Sequence, residues 1–361
     1  MGGTPPTSRE HGSVPADQRA RYSRPGRPLL DLSANVSPYG PAPEVRAALR
    51  EVTLECYPDP QSRSARQAVA ARFGTSMDSV AIGNGAAELI WAAARAFLGV
   101  GRTALQVQPT FGEFGLAVRA CGAALHTFDL VSKDGFALDL AALSQALRAA
   151  APRLCYLCTP NNPTGTACAL AQLNALAEQH PSTLFLLDQA YLNFSSRHGD
   201  LLRGAVDNVI CLRSLTKEQS LPGVRVGYIL GAPALIAQIE RQRPSWSVNS
   251  YAQAVVSPAL WADEYVADVR VRMMADRERA QLALRQAGIA TVNGDAPFLL
   301  AAVGRASACR RWLLTEQGIA VRDCTSFGLP GYARLSGIQQ GAVERVRDAF
   351  SLWRALCSRS L

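Results

Sequence analysis

Seven short apolar stretches that alternate with helical patterns constrain the fold of this 361-residue chain most strongly. The stretches are rich in β-forming residues and cover residues 80–82, 104–107, 124–128, 154–158, 184–187, 209–212 and 226–230. Helical patterns separate several of them, over residues 86–98, 113–121, 138–150 and 170–180. Short buried strands that alternate with helices predict an α/β fold, in which helices flank both faces of a mostly parallel seven-stranded sheet.

The pattern changes after about residue 233, which indicates a second domain. Helical patterns dominate there, and short strands and helices then run to the C-terminus. Pro258 predicts a kink in the helix over residues 251–261, because proline cannot donate the backbone hydrogen bond that a helix needs. We therefore expect an N-terminal arm plus a large domain over residues 28–245, and a smaller α+β domain over residues 246–361.

Residues 1–27 form a leader that is rich in proline, serine, glycine and arginine. The whole chain has a formal net charge of +8, but its basic residues are scattered, and the densest early run is Arg19, Arg21, Arg24 and Arg27. Such a composition predicts a disordered, solvated leader. A nucleic-acid-binding arm is the alternative, but no aromatic stacking pattern accompanies the charge, so we expect no nucleic-acid partner.

The sequence contains no pattern of export or membrane insertion. The N-terminus lacks an apolar secretory core, and Glu10 and Asp17 argue against a transit peptide. The most apolar helix candidate, residues 88–100, is interrupted by an arginine and is too short to span a bilayer. The nine cysteines show no repeated pair spacing, and the single CxxC pair, Cys155 and Cys158, lies in a strand pattern without a nearby histidine. We expect a cytoplasmic protein with reduced cysteines, no membrane partner and no metal site.

Polar loops follow several of the predicted strands, and ligands of open parallel sheets bind beyond the carboxyl ends of the strands. The first loop, residues 83–88, reads Gly-Asn-Gly-Ala-Ala-Glu, and its small residues would let backbone amides approach an anion at the start of the next helix. Glu88 stands where a dinucleotide-binding motif has its third glycine, so that motif is excluded. An ordinary strand–helix turn is the alternative for this loop.

Two further loops each carry a polar residue at a strand end. Residues 159–165 place Asn162 before a proline, which makes the asparagine a rigid donor at the edge of the sheet, although the same residues also fit an ordinary turn. Asp188 directly follows the apolar run 184–187. A buried carboxylate there requires a partner, which could be a protonated ring nitrogen or a helix N-terminus.

The fourth loop carries Lys217 between two apolar strands. A lysine amine held there can form a Schiff base with a carbonyl compound, provided that burial and its neighbours keep it partly deprotonated. Ser214 and Thr216 before the lysine, and Arg225 after it, are groups that a phosphate next to that amine would need. A solvated surface lysine is the alternative when this loop is considered alone.

Asn162, Asp188, Tyr191, Lys217 and Arg225 occur in this order within the motifs NNPTG, LLDQAY, SLTK and GVRVGY. With these motifs the chain resembles the fold type I pyridoxal-phosphate enzymes of the class I and II aminotransferase family. The resemblance covers about residues 29–350. It implies the fold of that family and pyridoxal 5′-phosphate as the cofactor.

The resemblance also implies a role for each matched residue. Lys217 would hold the cofactor as a Schiff base and move protons, and Asp188 would keep the pyridine nitrogen protonated, so that the ring accepts electrons from the substrate Cα. Tyr191 and Asn162 would hydrogen-bond the 3′ oxygen of the ring. The phosphate would be bound by Ser214, Thr216, Arg225 and the backbone of Gly85, Ala86 and Ala87.

Two aromatic residues match further positions of the family. Phe111 matches the residue that stacks on the cofactor ring. Tyr57 matches a tyrosine that reaches the phosphate in the neighbouring subunit, which implies a homodimer in which Tyr57 completes the partner's site. Packing in the hydrophobic core is the alternative for both residues.

Within the family, the chain is similar to the branch of histidinol-phosphate aminotransferase and threonine-phosphate decarboxylase. Arg334 matches the arginine that binds the substrate carboxylate, since a guanidinium can bind a carboxylate with two hydrogen bonds. Arg322, Asn35 and His11 match positions that contact the distal, often phosphorylated, end of the substrate. The chain departs from the branch at Glu218, where an aromatic or small apolar residue is commoner, and after Arg334, where it lacks a basic residue often found in the decarboxylases.

We therefore predict transamination of a small amino acid or of its phosphate ester. Decarboxylation of the L-threonine O-3-phosphate type, as in cobalamin side-chain synthesis, is the alternative, because the two reactions differ only in which bond to Cα stands perpendicular to the ring. A cofactor-binding sensor that regulates transcription is more distant, since the leader is too short and too rich in proline and glycine for a helix-turn-helix. A relic of the fold without cofactor is equally distant.

Overall fold

The computed structural model describes residues 12–23, 28–199, 206–336 and 338–358. Its strands are β1 (Leu30–Asp31), β2 (Val80–Asn84), β3 (Thr103–Gln108), β4 (Ala124–Asp129), β5 (Leu154–Cys158), β6 (Leu184–Asp188), β7 (Val209–Ser214), β8 (Val226–Leu230), β9 (Phe298–Ala302), β10 (Ile319–Ala320), β11 (Arg322–Asp323) and β12 (Tyr332–Ser336). Its α-helices are α1 (Ala16–Tyr22), α2 (Pro43–Arg50), α3 (Arg63–Phe73), α4 (Gly85–Phe97), α5 (Glu113–Ala120), α6 (Leu140–Ala150), α7 (Leu170–Glu178), α8 (Pro233–Glu240), α9 (Ser250–Leu260), α10 (Asp263–Gln286), α11 (Ala306–Gln317) and α12 (Val343–Ser358). Across these described ranges, no helix has both the length and the apolar character that a membrane crossing requires.

The seven predicted strands form one sheet, which confirms the α/β fold with a mostly parallel seven-stranded sheet. The strand order is β2-β8-β7-β6-β5-β3-β4, and β8 alone runs antiparallel to its two neighbours within this sheet. Every residue of the central strands β5, β6 and β7 is buried. Strands that are covered on both faces need continuous apolar runs, which is the pattern that the sequence shows there.

The register of the central strands brings their carboxyl ends to one edge of the sheet. Cys158 at the end of β5 is the partner of Asp188 at the end of β6, and Asp188 is also the partner of Leu212 near the end of β7. The loops that follow these three strands therefore start side by side. They carry Asn162, the segment from Asp188 to Tyr191, and Lys217.

Helices cover the sheet on both faces. Phe114 of α5 and Ile236 of α8 belong to a core cluster that also contains Cys158, whereas Leu143 of α6 belongs to a different cluster that contains Cys155. Side chains three positions apart on a strand point to opposite faces, so Cys155 and Cys158 face opposite sides of the sheet. The CxxC spacing therefore does not place these two thiols on one metal ion.

A smaller α+β unit follows the large sheet. Strands β11, β12 and β9 form an antiparallel sheet in this order, and α10, α11 and α12 cover it with Leu284, Leu313 and Phe350 packed against Leu299 and Leu335. This unit confirms the predicted C-terminal α+β domain.

The helix α9 links the two units. Although it follows residue 245, its Val255 and Val256 pack in one cluster with Val80 of β2 and Val226 of β8. The division after residue 245 stays a prediction, and this packing favours a boundary nearer Ala262. Pro258 lies inside α9, and the kink expected there also stays a prediction.

Residues 12–23 differ from the disorder that the composition of the leader predicts. They include α1, and the backbone amides of Ser13 and Val14 donate to Ser33 Oγ at 2.7 Å and to Asp31 Oδ2 at 2.9 Å. Arg19 Nη2 also lies 3.2 Å from Asp31 Oδ2. These acceptors lie next to β1 and are not visible in the composition of the leader. The remaining leader residues, 1–11 and 24–27, lie outside the described residues.

Candidate active site

Lys217 lies in the loop after β7, at the carboxyl edge of the large sheet. Its carbonyl oxygen accepts a hydrogen bond from the Ser37 amide at 3.0 Å, and its Nζ lies 6.0 Å from the centre of the Tyr191 ring. The pKa of the Lys217 amine is lowered to about 8, first by burial and then by the charges of Arg225 and Arg334. A lysine with this pKa has a substantial neutral fraction near pH 8, which Schiff-base formation requires.

Asp188 ends β6 and is only 4% exposed. Tyr156 Oη donates a hydrogen bond to its Oδ2 at 2.7 Å, and the amide of Ala190 donates to its Oδ1 at 3.0 Å. Burial raises the pKa of Asp188, while these two hydrogen bonds and the charge of Lys217 oppose that rise. A carboxylate can accept about four hydrogen bonds, so Asp188 can take a further donor such as a ring N–H.

The phenol of Tyr191 lies beside this pair. Its Oη accepts a hydrogen bond from Asn35 Nδ2 at 3.2 Å, and its ring meets the Phe298 ring edge-on with the centroids 5.1 Å apart. Burial raises the pKa of Tyr191 to about 12, so the phenol keeps its proton and can donate a hydrogen bond. Asn35 Oδ1 is buried and has no hydrogen-bond partner. The pair therefore offers one donor and one acceptor to a bound molecule.

Arg334, on β12 of the small sheet, joins three parts of the chain. Its Nη1 donates to Asn162 Oδ1, and its Nη2 donates to the carbonyl oxygen of Ser33 at 2.8 Å. The guanidinium also lies 5.5 Å from the centre of the Phe298 ring. Arg334 is 4% exposed, and its Nε is buried without a hydrogen-bond partner. A buried charge with an unsatisfied donor is costly, and Arg334 can still donate a hydrogen bond to an anionic ligand.

Arg322 stands opposite Arg334 in the antiparallel pair β11–β12. It is 6% exposed, its Nη2 donates to Ser326 Oγ at 2.6 Å, and its guanidinium lies 5.3 Å from the centre of the Phe327 ring. The charge of Arg322 is among the causes that lower the pKa of Arg334, which places the two cations within electrostatic reach. Two neighbouring guanidinium groups suit a ligand with two anionic groups or one doubly charged group.

A second anion-binding arrangement lies at the start of α4. Gly85 has a positive φ of 76°, and a side chain at this position would collide with the guanidinium of Arg225. The side chain of Asn84, the N-cap residue, makes no capping hydrogen bond to the helix. The arginine, the glycine and the first helical amides, including those of Ala86 and Ala87, therefore form a cradle of the kind that phosphate groups occupy.

Hydroxyl groups from β7 lie next to this cradle. Ser214 Oγ and Thr216 Oγ1 are 2.9 Å apart, and both residues are buried. Ser214 is the register partner of Gly227 on β8, and a side chain on Gly227 would press against the amide of Ala86 at the start of α4. The strand β7 thus places the two hydroxyls at the helix N-terminus that carries the cradle.

The remaining predicted residues lie in different places. Phe111 lies between β3 and α5 and packs, partly buried, against the core cluster of the large sheet. Tyr57 is 85% exposed, and its ring lies 5.4 Å from that of Trp246. The structure therefore does not bring Tyr57 into the site of its own chain. His11 lies outside the described residues.

Three residues that support the site were not identified from the sequence. They are Tyr156, which binds the carboxylate at the end of β6, Ser33, whose carbonyl binds an arginine, and Asn161, whose Nδ2 donates to the carbonyl of Pro109 at 2.8 Å. Of these three residues, only Tyr156 could have been identified from the sequence, because a phenol in an apolar strand requires a polar partner. The other two contacts join residues far apart in the chain and leave no local pattern.

Taken together, these groups fit pyridoxal phosphate. Asp188 offers an acceptor for a ring nitrogen, Lys217 offers a partly neutral amine, and the Arg225 cradle offers amides, hydroxyls and a cation for a phosphate. Each of the two groups is among the causes of the other's pKa shift, so the carboxylate and the amine lie within electrostatic reach of each other. Lys217 Nζ lies 6.0 Å from the centre of the Tyr191 ring, and Asn162 accepts a hydrogen bond from Arg334 of the small sheet.

Comparison with known proteins agrees with this arrangement. Histidinol-phosphate aminotransferase 2 of Gluconobacter oxydans is 32% identical over 332 residues, which cover 89% of this chain and 90% of that protein. The histidinol-phosphate aminotransferase of Symbiobacterium thermophilum is 32% identical over 313 residues, covering 85% of this chain and 86% of that protein. The crystal structure of histidinol-phosphate aminotransferase from Sinorhizobium meliloti in complex with pyridoxal-5′-phosphate superposes with a TM-score of 0.82 at 26% identity, covering 95% of this chain and 96% of the other.

The model of one family, described as aminotransferase class I and II, matches residues 27–350. This range contains the large sheet, the small sheet and each of the site residues described above. The chain therefore belongs to the aminotransferase class I and II family.

Proposed function

We propose that this protein is a pyridoxal-phosphate-dependent aminotransferase that exchanges an amino group between an amino acid and a small phosphorylated substrate of the histidinol-phosphate type. One observation carries the proposal: the loops of Lys217 and Asp188 start side by side at the carboxyl edge of the sheet, and the partly neutral amine lies within electrostatic reach of the buried carboxylate and of Arg225 in the cradle. The relatives named above, which are aminotransferases, support transamination over decarboxylation.

Each end of the cofactor has residues to hold it. Asp188 would accept a hydrogen bond from the ring nitrogen, Tyr191 and Asn162 would contact the ring oxygen, and Phe111 would cover a face of the ring. Arg225, Ser214, Thr216 and the amides of Gly85, Ala86 and Ala87 would hold the phosphate. When bound, pyridoxal phosphate supplies an electron-accepting ring that stabilises negative charge at the substrate Cα.

Residues of this chain would move the proton of the substrate Cα and orient the substrate. Lys217 Nζ would move a proton to and from the substrate Cα, and the lowering of its pKa to about 8 by burial keeps part of the amine neutral near that pH. Burial keeps Tyr191 protonated, so its Oη, which accepts a hydrogen bond from Asn35 Nδ2, could donate one to a bound molecule. Asp188 is buried, which strengthens its electrostatic interaction with a positively charged partner.

Two buried arginines support an anionic substrate. Arg334 would bind a carboxylate through its free Nε and a neighbouring nitrogen, and it is held in place by Asn162 and Ser33. Arg322 would bind the distal phosphate of the substrate. Asn35, which donates a hydrogen bond to Tyr191 Oη, would contact the substrate as well. His11 is proposed to contribute at that distal end on sequence similarity alone.

The exposed aromatic pair of Tyr57 and Trp246 supports a homodimer. Both rings are large and exposed, at 85% and 51%, and such surfaces mark contacts with other chains. In the proposed dimer, Tyr57 reaches the phosphate in the partner subunit. A cytoplasmic location is also proposed, and the absence of disulfides among the nine cysteines supports it.

The test is a direct assay of amino-group exchange. Purified protein with pyridoxal phosphate is mixed with L-histidinol phosphate and 2-oxoglutarate, and the glutamate formed is measured. A parallel reaction contains O-phospho-L-threonine, and its carbon dioxide is measured. We expect glutamate formation in the first reaction. Carbon dioxide release without amine exchange in either reaction would overturn the proposal in favour of decarboxylation.

A further inference from the structure

A buried acid directly follows the lysine of the site. Glu218 is only 2% exposed, and its Oε1 accepts a hydrogen bond from Asn193 Nδ2 at 3.0 Å. Its Oε2 is buried and has no hydrogen-bond partner. Burying a carboxyl group costs free energy unless charges or hydrogen bonds compensate it, so a buried acid at this place requires a structural reason.

Asn193 links this acid to a buried cation. Its Oδ1 accepts a hydrogen bond from Arg213 Nη2 at 2.8 Å, and Arg213 Nη1 lies 3.5 Å from Gln189 Oε1. Arg213 is 5% exposed and lies on β7, just before the lysine loop. The amide of Asn193 therefore stands between the negative charge of Glu218 and the positive charge of Arg213.

The link connects the two loops that carry the reacting groups. Asn193 lies in the short helix Leu192–Phe194, directly after Tyr191, and Gln189 directly follows Asp188. Glu218 sits on the other loop, next to Lys217. The three hydrogen-bonded side chains thus fix the position of the lysine relative to the carboxylate and the phenol, although the two loops are about 30 residues apart in the chain.

The same acid acts on the charge of the lysine. The groups that face Glu218 are Arg213, Lys217, Tyr228 on β8 and the amide of Asn193. Burial raises the pKa of Glu218 to about 7, whereas Arg213, Asn193 and Lys217 oppose that rise. The ionisable groups that face Lys217 are Asp188, Glu218, Arg225 and Arg334. The two carboxyl groups favour the protonated amine, and the two arginines oppose it.

We propose that Glu218 is a positioning residue for Lys217. It holds the lysine loop against the Asp188–Tyr191 loop through Asn193 and Arg213, and it supports the positive charge of the amine. This inference rests on the proposed function, in which Lys217 reacts with the cofactor. It concerns a residue at which this chain departs from the pattern of the family.

The chain provides its own internal control, because it contains only two lysines, Lys133 and Lys217. Lys133 is exposed in the turn Ser132–Asp134, far along the chain from the site loops. Apoprotein is treated with pyridoxal phosphate over a pH series and reduced with borohydride, and the label on each lysine is quantified by peptide mass spectrometry. In the wild type, labelling of Lys217 should rise with a midpoint near pH 8.

Glu218→Gln keeps the shape and the acceptor for Asn193 but removes the charge. We expect the midpoint for Lys217 to fall by about one pH unit, because a nearby negative charge no longer favours the protonated amine. The labelling curve of Lys133 should stay unchanged. In the holoenzyme, kcat should fall roughly tenfold while KM changes less than about twofold, since the protonation of Lys217 is altered and not the substrate contacts.

Asn193→Ala tests the link without changing a charge. Its effect on kcat should not add to that of Glu218→Ala in the double variant, because both changes break the same hydrogen bond between the two loops. Glu316→Gln, an exposed acid on α11, is the matched control and should change nothing. Unchanged Lys217 labelling and kcat in Glu218→Gln, or full additivity of Glu218→Ala with Asn193→Ala, would overturn the positioning role. A wild type that takes up no pyridoxal phosphate would instead contradict the proposed function.

Discussion

Arg322 and Arg334 stand directly opposite each other on antiparallel strands of the small sheet, and both are almost fully buried. Two buried guanidinium groups in this position repel each other, and each has lost hydration. Aromatic rings, hydroxyl groups and carbonyl oxygens hold them, at Phe298, Phe327 and Ser33 among others. An anionic substrate would remove the repulsion, so we propose that the pair binds the negative charge of the substrate.

Arg334→Lys tests this site. A lysine keeps the positive charge but cannot bind Asn162, Ser33 and a carboxylate at the same time, because it lacks the planar fork of donors. We expect kcat/KM for the amino-acid substrate to fall roughly 30- to 150-fold, the equivalent of about 2–3 kcal/mol for charged hydrogen bonds. Steady-state kinetics would measure it. Arg310→Lys, an exposed change on α11, is the control, and an equal loss there would contradict the role of Arg334.

The pKa of Lys217 predicts a pH-dependent stability of the apoprotein. The folded-state pKa is lowered to about 8 from the usual 10.5, so between these values the unfolded chain binds more protons than the folded chain. The contribution of this group to stability therefore rises with pH across that window, and below about pH 8 the buried charge destabilises the fold. Lys217→Met should be more stable than the wild type below about pH 8, with a difference that shrinks towards pH 10.5.

Thermal unfolding of the two apoproteins at several pH values measures this difference. Lys133→Met is the matched control, because Lys133 is the other lysine of the chain and is exposed. Its stability relative to the wild type should not vary with pH in this window. A Lys217→Met protein that tracks the wild type at every pH would show that the amine is not destabilised by its site. The same variant should also lack the visible absorbance of bound pyridoxal phosphate.

Gly85→Ala tests the phosphate cradle. The positive φ of Gly85 and the closeness of Arg225 leave no room for a side chain, so the change should destabilise the fold by about 1–3 kcal/mol. Displacement of Arg225 should also weaken the binding of pyridoxal phosphate, measured by equilibrium titration of the apoprotein. Gly99→Ala is the control, since nothing lies near a side chain built there. Cofactor affinity equal to that of the wild type would contradict the assignment of the cradle.

The proposed dimer predicts complementation between two inactive variants. Lys217→Ala lacks the amine but keeps Tyr57, and Tyr57→Ala lacks the phenol but keeps the amine. If Tyr57 serves the partner's site, each mixed dimer contains one complete site, so random reassociation in equal amounts should restore roughly a quarter of the wild-type activity. The two variants are mildly dissociated, mixed and allowed to reassociate, and the amino-group transfer activity of the mixture is then measured. Activity that stays at the average of the two variants alone would show that Tyr57 acts only within its own chain, or not at all.

The sequence alone determined the large sheet and the residues at its carboxyl edge. Strands β5, β6 and β7 are local apolar runs, and a strand that is buried on both faces can be recognised without its neighbours. Asp188 ends β6 and Lys217 lies shortly after β7, so the position of both residues at the edge of the sheet could be predicted from the local sequence. The motifs around them were sufficient to indicate the family.

Only the tertiary structure decided which distant residues meet. The contacts of Arg334 with Ser33 and Asn162 join segments separated by 301 and 172 positions, and no local pattern encodes them. The same holds for Val14 bound to Asp31 and for Glu218 bound to Asn193. Hydrophobic periodicity fixes which face of a strand or helix is buried, whereas the partner of a buried polar group depends on strand order and on domain packing.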